Sequence, residues 1–278
     1  MKNKIERKNI SREELKSIQL EIMGIFHKYC EDRDLRYYLT GGTLIGAVRH
    51  QGYIPWDDDI DVIMPRTDYE TLIKSFNKDK IPDMKILSTS YNTDYYLPFS
   101  KMINTKTVLI EKTDIGMPIG VYIDIFPLDN MSDDYNKAVS LFNKIKRYRN
   151  LLTLKTVSVS NRRAKYKNVI LQASKIILSS TKSHNIAVQI NRLAQTYESE
   201  KMSKFVCATV ISTYGIKEIM DSSWYQDRRK ANFEGRQFWI PGEYHSVLSN
   251  LYGNYMLLPP KEKQVSHHKF EAYWKGND

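Results

Sequence analysis

Four aspartates occupy five positions of the chain, Asp57, Asp58, Asp59 and Asp61, and an apolar run, Val62-Ile63-Met64, follows directly. A solvated acidic loop has no reason to lead into such a run. The stretch Asp59-Ile-Asp-Val alternates as a half-buried strand does. Side chains on a strand point to alternate faces, so Asp57, Asp59 and Asp61 are expected on one face and Ile60 and Val62 on the other. Carboxylates this close repel one another unless a cation neutralises them. An oxygen-only donor set suits Mg²⁺ or Mn²⁺ rather than zinc. Two such ions about 3.5–4 Å apart can clamp both oxygens of an in-line phosphoryl displacement. Asp59 and Asp61, two residues apart, are spaced to hold such a pair. The plain alternative is an acidic turn that caps neighbouring elements.

A second cluster precedes the acids. Tyr37 to Thr40 read as a short strand and Thr43 to His50 as a helix, with Gly41-Gly42 between them. A strand, a glycine pair and a helix start form an anion site from backbone N–H groups and the helix dipole, and glycine lets backbone approach phosphate closely. Gly41, Gly42 and Thr43 are therefore candidate phosphate contacts. Arg49 and His50 at the end of that helix either supply positive charge to a leaving group or serve the helix C-terminus, which favours cations. Trp56 either stacks on a base or packs. Lys101, inside an apolar stretch, either points to solvent on an edge or reaches a nucleotide phosphate. Asp124 lies within the alternating strand Gly120–Phe126, and an acid there is costly to bury without a partner.

The string Gly41-Gly-Thr-Leu-Ile-Gly-Ala-Val-Arg-His50, followed by Gly52, Ile54-Pro-Trp-Asp-Asp-Asp-Ile-Asp61, resembles the LicD family, the fukutin-like branch of the nucleotidyltransferase fold. The resemblance continues at Val121–Asp129, Phe233–Phe238 and Leu251–Pro260, and touches most of the chain outside roughly 131–200. It implies an enzyme that transfers phosphocholine from CDP-choline, or another CDP-linked small alcohol, to a hydroxyl of a cell-surface glycan or a lipid-linked, teichoic-acid-type polyol phosphate. It also implies two Mg²⁺ (or Mn²⁺) ions on Asp59 and Asp61, with Asp124 as the third carboxylate and Asp57 as a ligand or an outer partner. Two other functions compete: a nucleotidyltransferase that consumes NTP on a small molecule, protein or RNA, and a non-catalytic protein that binds anionic surfaces.

The elements that must position these residues fit an α+β fold, a nucleotidyltransferase-like core with a small mixed sheet flanked by helices, plus a mainly helical insert. The chain divides into a catalytic core over 1–130, a basic helical insert over 131–200, and a C-terminal part over 201–278 that packs back on the core. A capping box at Ser11–Glu14 opens an amphipathic helix ending near Cys30. His27 on that helix reads as structural. Helices are expected over 67–77, 133–152, 162–196 and 244–251, with Val169, Ile170, Ile176 and Ile177 among the apolar positions. Strands are expected over 86–89, 97–103 and 107–111, the last two as a hairpin around Asn104-Thr-Lys106. Asp129 is expected to cap the helix that follows it. The adjacent pair His267-His268 reads as a tail near the site mouth rather than a metal site.

Composition bounds the rest. The 278 residues carry a formal net charge of +10, yet 135–197 hold thirteen Lys and Arg and no Asp or Glu, so the whole excess lies in the insert. Its apolar positions recur near helical spacing, and aromatic platforms for single-stranded nucleic acid are sparse, which argues against nucleic acid. The two readings left are peripheral contact with an anionic membrane and a solvated helical hairpin. Two distant cysteines, Cys30 and Cys207, make neither a disulfide framework nor a zinc motif. The charged start Met-Lys-Asn-Lys is not a signal peptide, and no run of about 18 apolar residues is present. The expected location is the cytoplasm, either free or peripheral on the inner face of the membrane.

Overall fold

A computed structural model of the protein describes residues 8–111, 118–159, 164–199, 201–211, 213–265 and 270–276. Arg162, Arg163, His267 and His268 lie outside the described residues. The fold is a mixed α+β arrangement. Its main sheet has the order β3-β4-β6-β2-β1, with β7 and β8 added beyond the far end of β6. The strands are β1 (Tyr38–Leu39), β2 (Asp61–Pro65), β3 (Met84–Leu87), β4 (Ser100–Asn104), β6 (Tyr122–Asn130), β7 (Phe205–Cys207) and β8 (Met220–Asp221). β2 and β6 run parallel, and the other neighbours are antiparallel. Val121, Ile123 and Ile125 are fully buried, as their alternation requires.

Helix α1 (Arg12–Glu31) starts at Ser11, whose hydroxyl accepts from the Glu14 N–H at 3.1 Å. Its buried stripe, Leu15, Ile18, Ile22, Met23 and Phe26, packs on the sheet. His27 is structural: its Nδ1 lies 2.7 Å from the Tyr37 hydroxyl and its ring meets Phe238 edge-on. Helix α3 (Arg66–Ser75) follows β2 directly.

Several expectations change. The strand β5 (Thr107–Glu111) does not form a hairpin with β4; it pairs with β11 (Phe270–Trp274). The ladder is diverted at Asn104, whose N–H goes to the Val121 carbonyl at 2.8 Å, while the Thr107 hydroxyl accepts from the Val121 N–H at 2.8 Å. Asp129 caps no helix. It is fully buried and accepts from Arg66 Nε at 2.7 Å and the Thr209 hydroxyl at 2.7 Å. The cap of α4 (Tyr135–Thr156) is Asp134. The long helix expected over 162–196 is two, α5 (Lys165–Ile177) and α6 (Ser183–Ala194). Helices α4 and α6 share a second core through Leu141, Phe142, Ile145, Ile186 and Ile190.

In α5 the apolar positions do not pack inward. Val169, Ile170, Ile176 and Ile177 are exposed, and Leu171 is the residue it buries. The C-terminal region adds the hairpin β9 (Arg228–Phe233) and β10 (Arg236–Pro241), then helix α7 (Tyr244–Tyr252).

Candidate active site

The acidic cluster does not form one strand, because β2 begins only at Asp61. The alternation survives in the turn before it: Asp57, Asp59 and Asp61 are half-buried, whereas Asp58 and Ile60 are buried. Helix α1 holds this turn by its backbone. Gln19 donates to the Asp58 carbonyl at 3.0 Å, and Arg12 donates to the Asp57 carbonyl at 3.3 Å. The Asp58 carboxylate faces Arg12 at 3.9 Å, so the even member of the run anchors the turn and leaves the odd members to the site.

The glycine pair is the first turn of helix α2 (Gly41–Ile45) rather than a loop before it. Gly41 has φ of +57°, where an L side chain is strained, and a Cβ there would stand 3.2 Å from Asp61 Oδ2. At Gly42 a Cβ would come within 2.5 Å of Asp57 Oδ2. Each glycine thus clears the space that one carboxylate occupies. Thr43 locks the pair of elements together by accepting the Asp61 N–H at 2.9 Å. The helix continues as a π-helical turn over Gly46–His50, a distortion found often at functional sites.

The sheet then brings in residues distant in sequence. Asp61 and Asp124 are register partners on the parallel pair β2–β6. The Asp61 carboxyl is held well above the usual carboxylate range, first by burial and then by the charges of Asp59, Asp124 and Asp57, with Lys101 opposing. Lys101 is on no edge: it lies within β4, paired on both sides, and is 3% exposed. Its Nζ is 2.7 Å from Asp124 Oδ1 and 3.3 Å from the centre of the Tyr122 ring. A buried ammonium therefore faces the third carboxylate.

These residues fit a hard divalent cation by chemistry: all the donors are oxygens, and three like charges bear on Asp61. Among the described residues no three acidic, histidine or cysteine side chains stand at metal-ligating spacing, and the Lys101 ammonium takes one oxygen of Asp124.

Arg49 donates from Nη1 to the carbonyls of Tyr255 at 2.6 Å and Leu257 at 3.2 Å. It ties the C-terminal segment to the site. Its Nε–H also donates to His50 Nε2 at 2.9 Å. Burial and the neighbouring Arg49 charge lower the His50 pKa.

Two cavities open on either side of Gly42 and Asp61. The larger, about 540 Å³, is lined by Arg49, Trp56, Asp57, Asp59, Tyr255 and Lys263 among others. The smaller, about 240 Å³, lies over Phe126, Tyr225 and Glu218. Tyr214 and Tyr252 form part of both walls. The residue-level reading of the sequence missed Tyr214, Glu218, Tyr252, Tyr255 and Lys263. The stretch Leu251–Pro260 was the available signal, since it carries Tyr252 and Tyr255.

Comparison with known proteins shows what the chain is similar to. The family model for the LicD/FKTN/FKRP nucleotidyltransferase domain matches residues 34–149, which span the glycine pair and all four candidate carboxylates. The chain is 31% identical over 279 residues to the lipopolysaccharide cholinephosphotransferase LicD of Haemophilus influenzae, covering 96% of this chain and 99% of that protein. Shorter matches are to the uncharacterized proteins RT0683 of Rickettsia typhi, 40% identical over 21% of this chain and 18% of that protein, and RP689 of Rickettsia prowazekii, 45% identical over 15% and 16%.

Proposed function

The chain belongs to the LicD family, whose members are transferases of phosphate-containing groups, and on that premise we propose that it moves phosphocholine from CDP-choline to a hydroxyl of a cell-surface glycan. Lipopolysaccharide is the acceptor named for the relative that matches along its whole length. The observation that carries the reading is the register pair Asp61–Asp124 beside a glycine turn that opens on two cavities.

In the proposed reaction the acceptor oxygen bonds to the phosphorus that carries choline, the P–O bond toward the cytidine half breaks, and CMP leaves. The hydroxyl proton passes to a carboxylate of the cluster. Gly41, Gly42 and Thr43, opening α2, are the backbone groups that meet the donor phosphates. Trp56, Arg49 and Lys263 line the larger cavity and suit the nucleotide half: an aromatic face for the base and cations for its phosphate. Asp59, Asp61 and Asp124, with Asp57 beside them, would hold Mg²⁺ or Mn²⁺, which when bound would neutralise the phosphates and favour deprotonation of the hydroxyl. Lys101 positions Asp124 and offsets its charge in the low-dielectric sheet. The test is a mass-spectrometric screen for CMP release from CDP-linked alcohols beside pyrophosphate release from NTP. CMP from CDP-choline supports the reading; pyrophosphate alone would replace it with nucleotidyl transfer.

A peripheral contact with an anionic membrane through 135–197 belongs to the same proposal. Among the described residues no helix is long and apolar enough to cross a membrane. Helix α5 leaves Ile176 and Ile177 at 74% and 79% exposed, with Tyr166, Val169 and Ile170 also exposed, and carries Lys165, Lys167 and Lys175 among them. Apolar side chains flanked by lysines match the interface of an anionic bilayer better than a solvated hairpin, and such a contact would keep the enzyme beside a lipid-linked acceptor.

A further inference from the structure

The smaller cavity differs in chemistry from the larger one. Its walls include the rings of Phe126, Tyr214, Tyr225 and Tyr252 and the carboxylate of Glu218, and it meets the reacting centre at Asp61. Tyr214 and Tyr252 stand edge to face, with centroids 4.9 Å apart and planes at 70°. Glu218 is 5% exposed and accepts the Tyr214 N–H at 2.6 Å. Burial pushes its pKa up to about 7, against smaller opposing effects of the Tyr214 N–H and Arg149. Among the described residues no Lys, Arg or His lines this cavity, whereas Arg49 and Lys263 line the larger one.

This division sorts ligands by charge. A phosphate in the smaller cavity would face a carboxylate and the negative faces of aromatic rings. A primary ammonium there would need acceptors for three N–H groups. A quaternary ammonium has no N–H groups, is bulky and weakly hydrated, and is attracted to ring faces and to a carboxylate.

We propose that the smaller cavity is the subsite for the quaternary ammonium head group of the donor, with the nucleotide half in the larger cavity and the diphosphate crossing at Gly42 and Asp61, which both cavities share. The assignment rests on the CDP-choline reading above for the identity of the donor, and on the cavity walls for the place of its head group. Tyr214 and Tyr252 then contact both halves of the donor. The head group then places a positive charge beside Glu218 from inside the cavity.

Calorimetric titration of the full chain with choline, and with its uncharged carbon isostere 3,3-dimethyl-1-butanol, tests the assignment. Choline should bind at least about tenfold more tightly than the isostere and should still bind to protein saturated with CMP. Glu218→Gln should weaken choline binding by about tenfold while CMP titrates as in the wild type. Equal binding of choline and the isostere, absence of choline binding, or one-for-one displacement of choline by CMP would overturn the subsite. Should Glu218→Gln fail to fold, the comparison of the two ligands on the wild-type chain decides alone. Choline bound as expected without turnover of CDP-choline would remove the donor reading and keep the subsite. Turnover of CDP-choline with no preference for choline over the isostere would do the reverse.

Discussion

Lys101 and Asp124 are register partners on the antiparallel strands β4 and β6, with Nζ 2.7 Å from Oδ1. Asp124 is at once the register partner of Asp61 on its other side. One carboxylate thus stands between a buried cation and the acidic cluster.

That arrangement makes a single replacement of Asp124 ambiguous and a double one informative. Asp124→Ala leaves the Lys101 ammonium buried without this carboxylate, a change that costs about 3–5 kcal/mol. Lys101→Met combined with Asp124→Ala should recover most of that loss in a thermal melt. Turnover per folded molecule should stay low in both variants if Asp124 serves the reaction. Wild-type turnover in the double variant would make Asp124 purely structural.

Asp59→Asn and Asp61→Asn should each lower CMP release by about 10²–10³, the scale of losing one main electrostatic stabiliser. Neither should impair folding, and Asp61→Asn should raise the melting temperature, because Asp61 sits among three other carboxylates. Activity in EDTA equal to that in Mg²⁺ would sink the metal assignment whatever the variants do.

Stability should fall as pH rises from about 4.5 to about 7. Burial raises the pKa values of Glu218 and Glu198 to about 7 in the folded chain. A folded-state pKa above the unfolded one contributes stability that is present below the unfolded value and lost as pH passes the folded value. For Glu218 the loss should be on the order of 2 kcal/mol. Denaturant melts at pH 5 and pH 8 check this, and Glu218→Gln should flatten the difference.

Liposome sedimentation addresses α5. Wild-type protein should pellet with anionic vesicles at low salt and be released by high salt, since each basic residue at the surface contributes about 1 kcal/mol under screening. Ile176→Ser with Ile177→Ser, and charge reversal of the exposed Lys144, Lys146 and Arg147, should each weaken pelleting, with hydrolysis of a soluble donor retained. Equal pelleting with neutral vesicles, or none at low salt, would leave α5 a solvated helix.

The parts of this protein legible in its sequence are those set by local spacing. The alternation through Val121–Phe126 placed Asp124 on a strand, and the odd-numbered aspartates kept a common exposure even though Asp57–Ile60 is not a strand, because both depend on neighbours one or two residues away. The pairing of β5 with β11 was not legible: the turn at Asn104–Lys106 has hairpin spacing, and the hydrogen bonds that divert it come from Val121. Nor was the Lys101–Asp124 contact, since a strand's own pattern does not reveal the register of its neighbours. In α5 the 3.6-residue period identified an apolar face but not whether anything covers it. The aromatic walls of the smaller cavity come from four separate stretches of chain, and no spacing rule joins them.

The pairing of β11 with β5 also sets an order in time. Residues 270–274 complete β5, and the same segment receives the start of the chain: Ile10 donates to the Ala272 carbonyl and Trp274 to that of Lys8, both at 2.9 Å. A ribosome delivers β11 roughly 160 residues after β5, a delay of roughly 8–30 s at ordinary elongation rates. Throughout that interval β5 is an open edge able to pair with another chain. For a shorter part of it, the larger cavity lacks the wall that Arg49 later ties down through Tyr255 and Leu257. Nascent chains are therefore open to edge pairing at β5 until β11 docks, and the larger cavity is walled only once Tyr255 and Leu257 have been made.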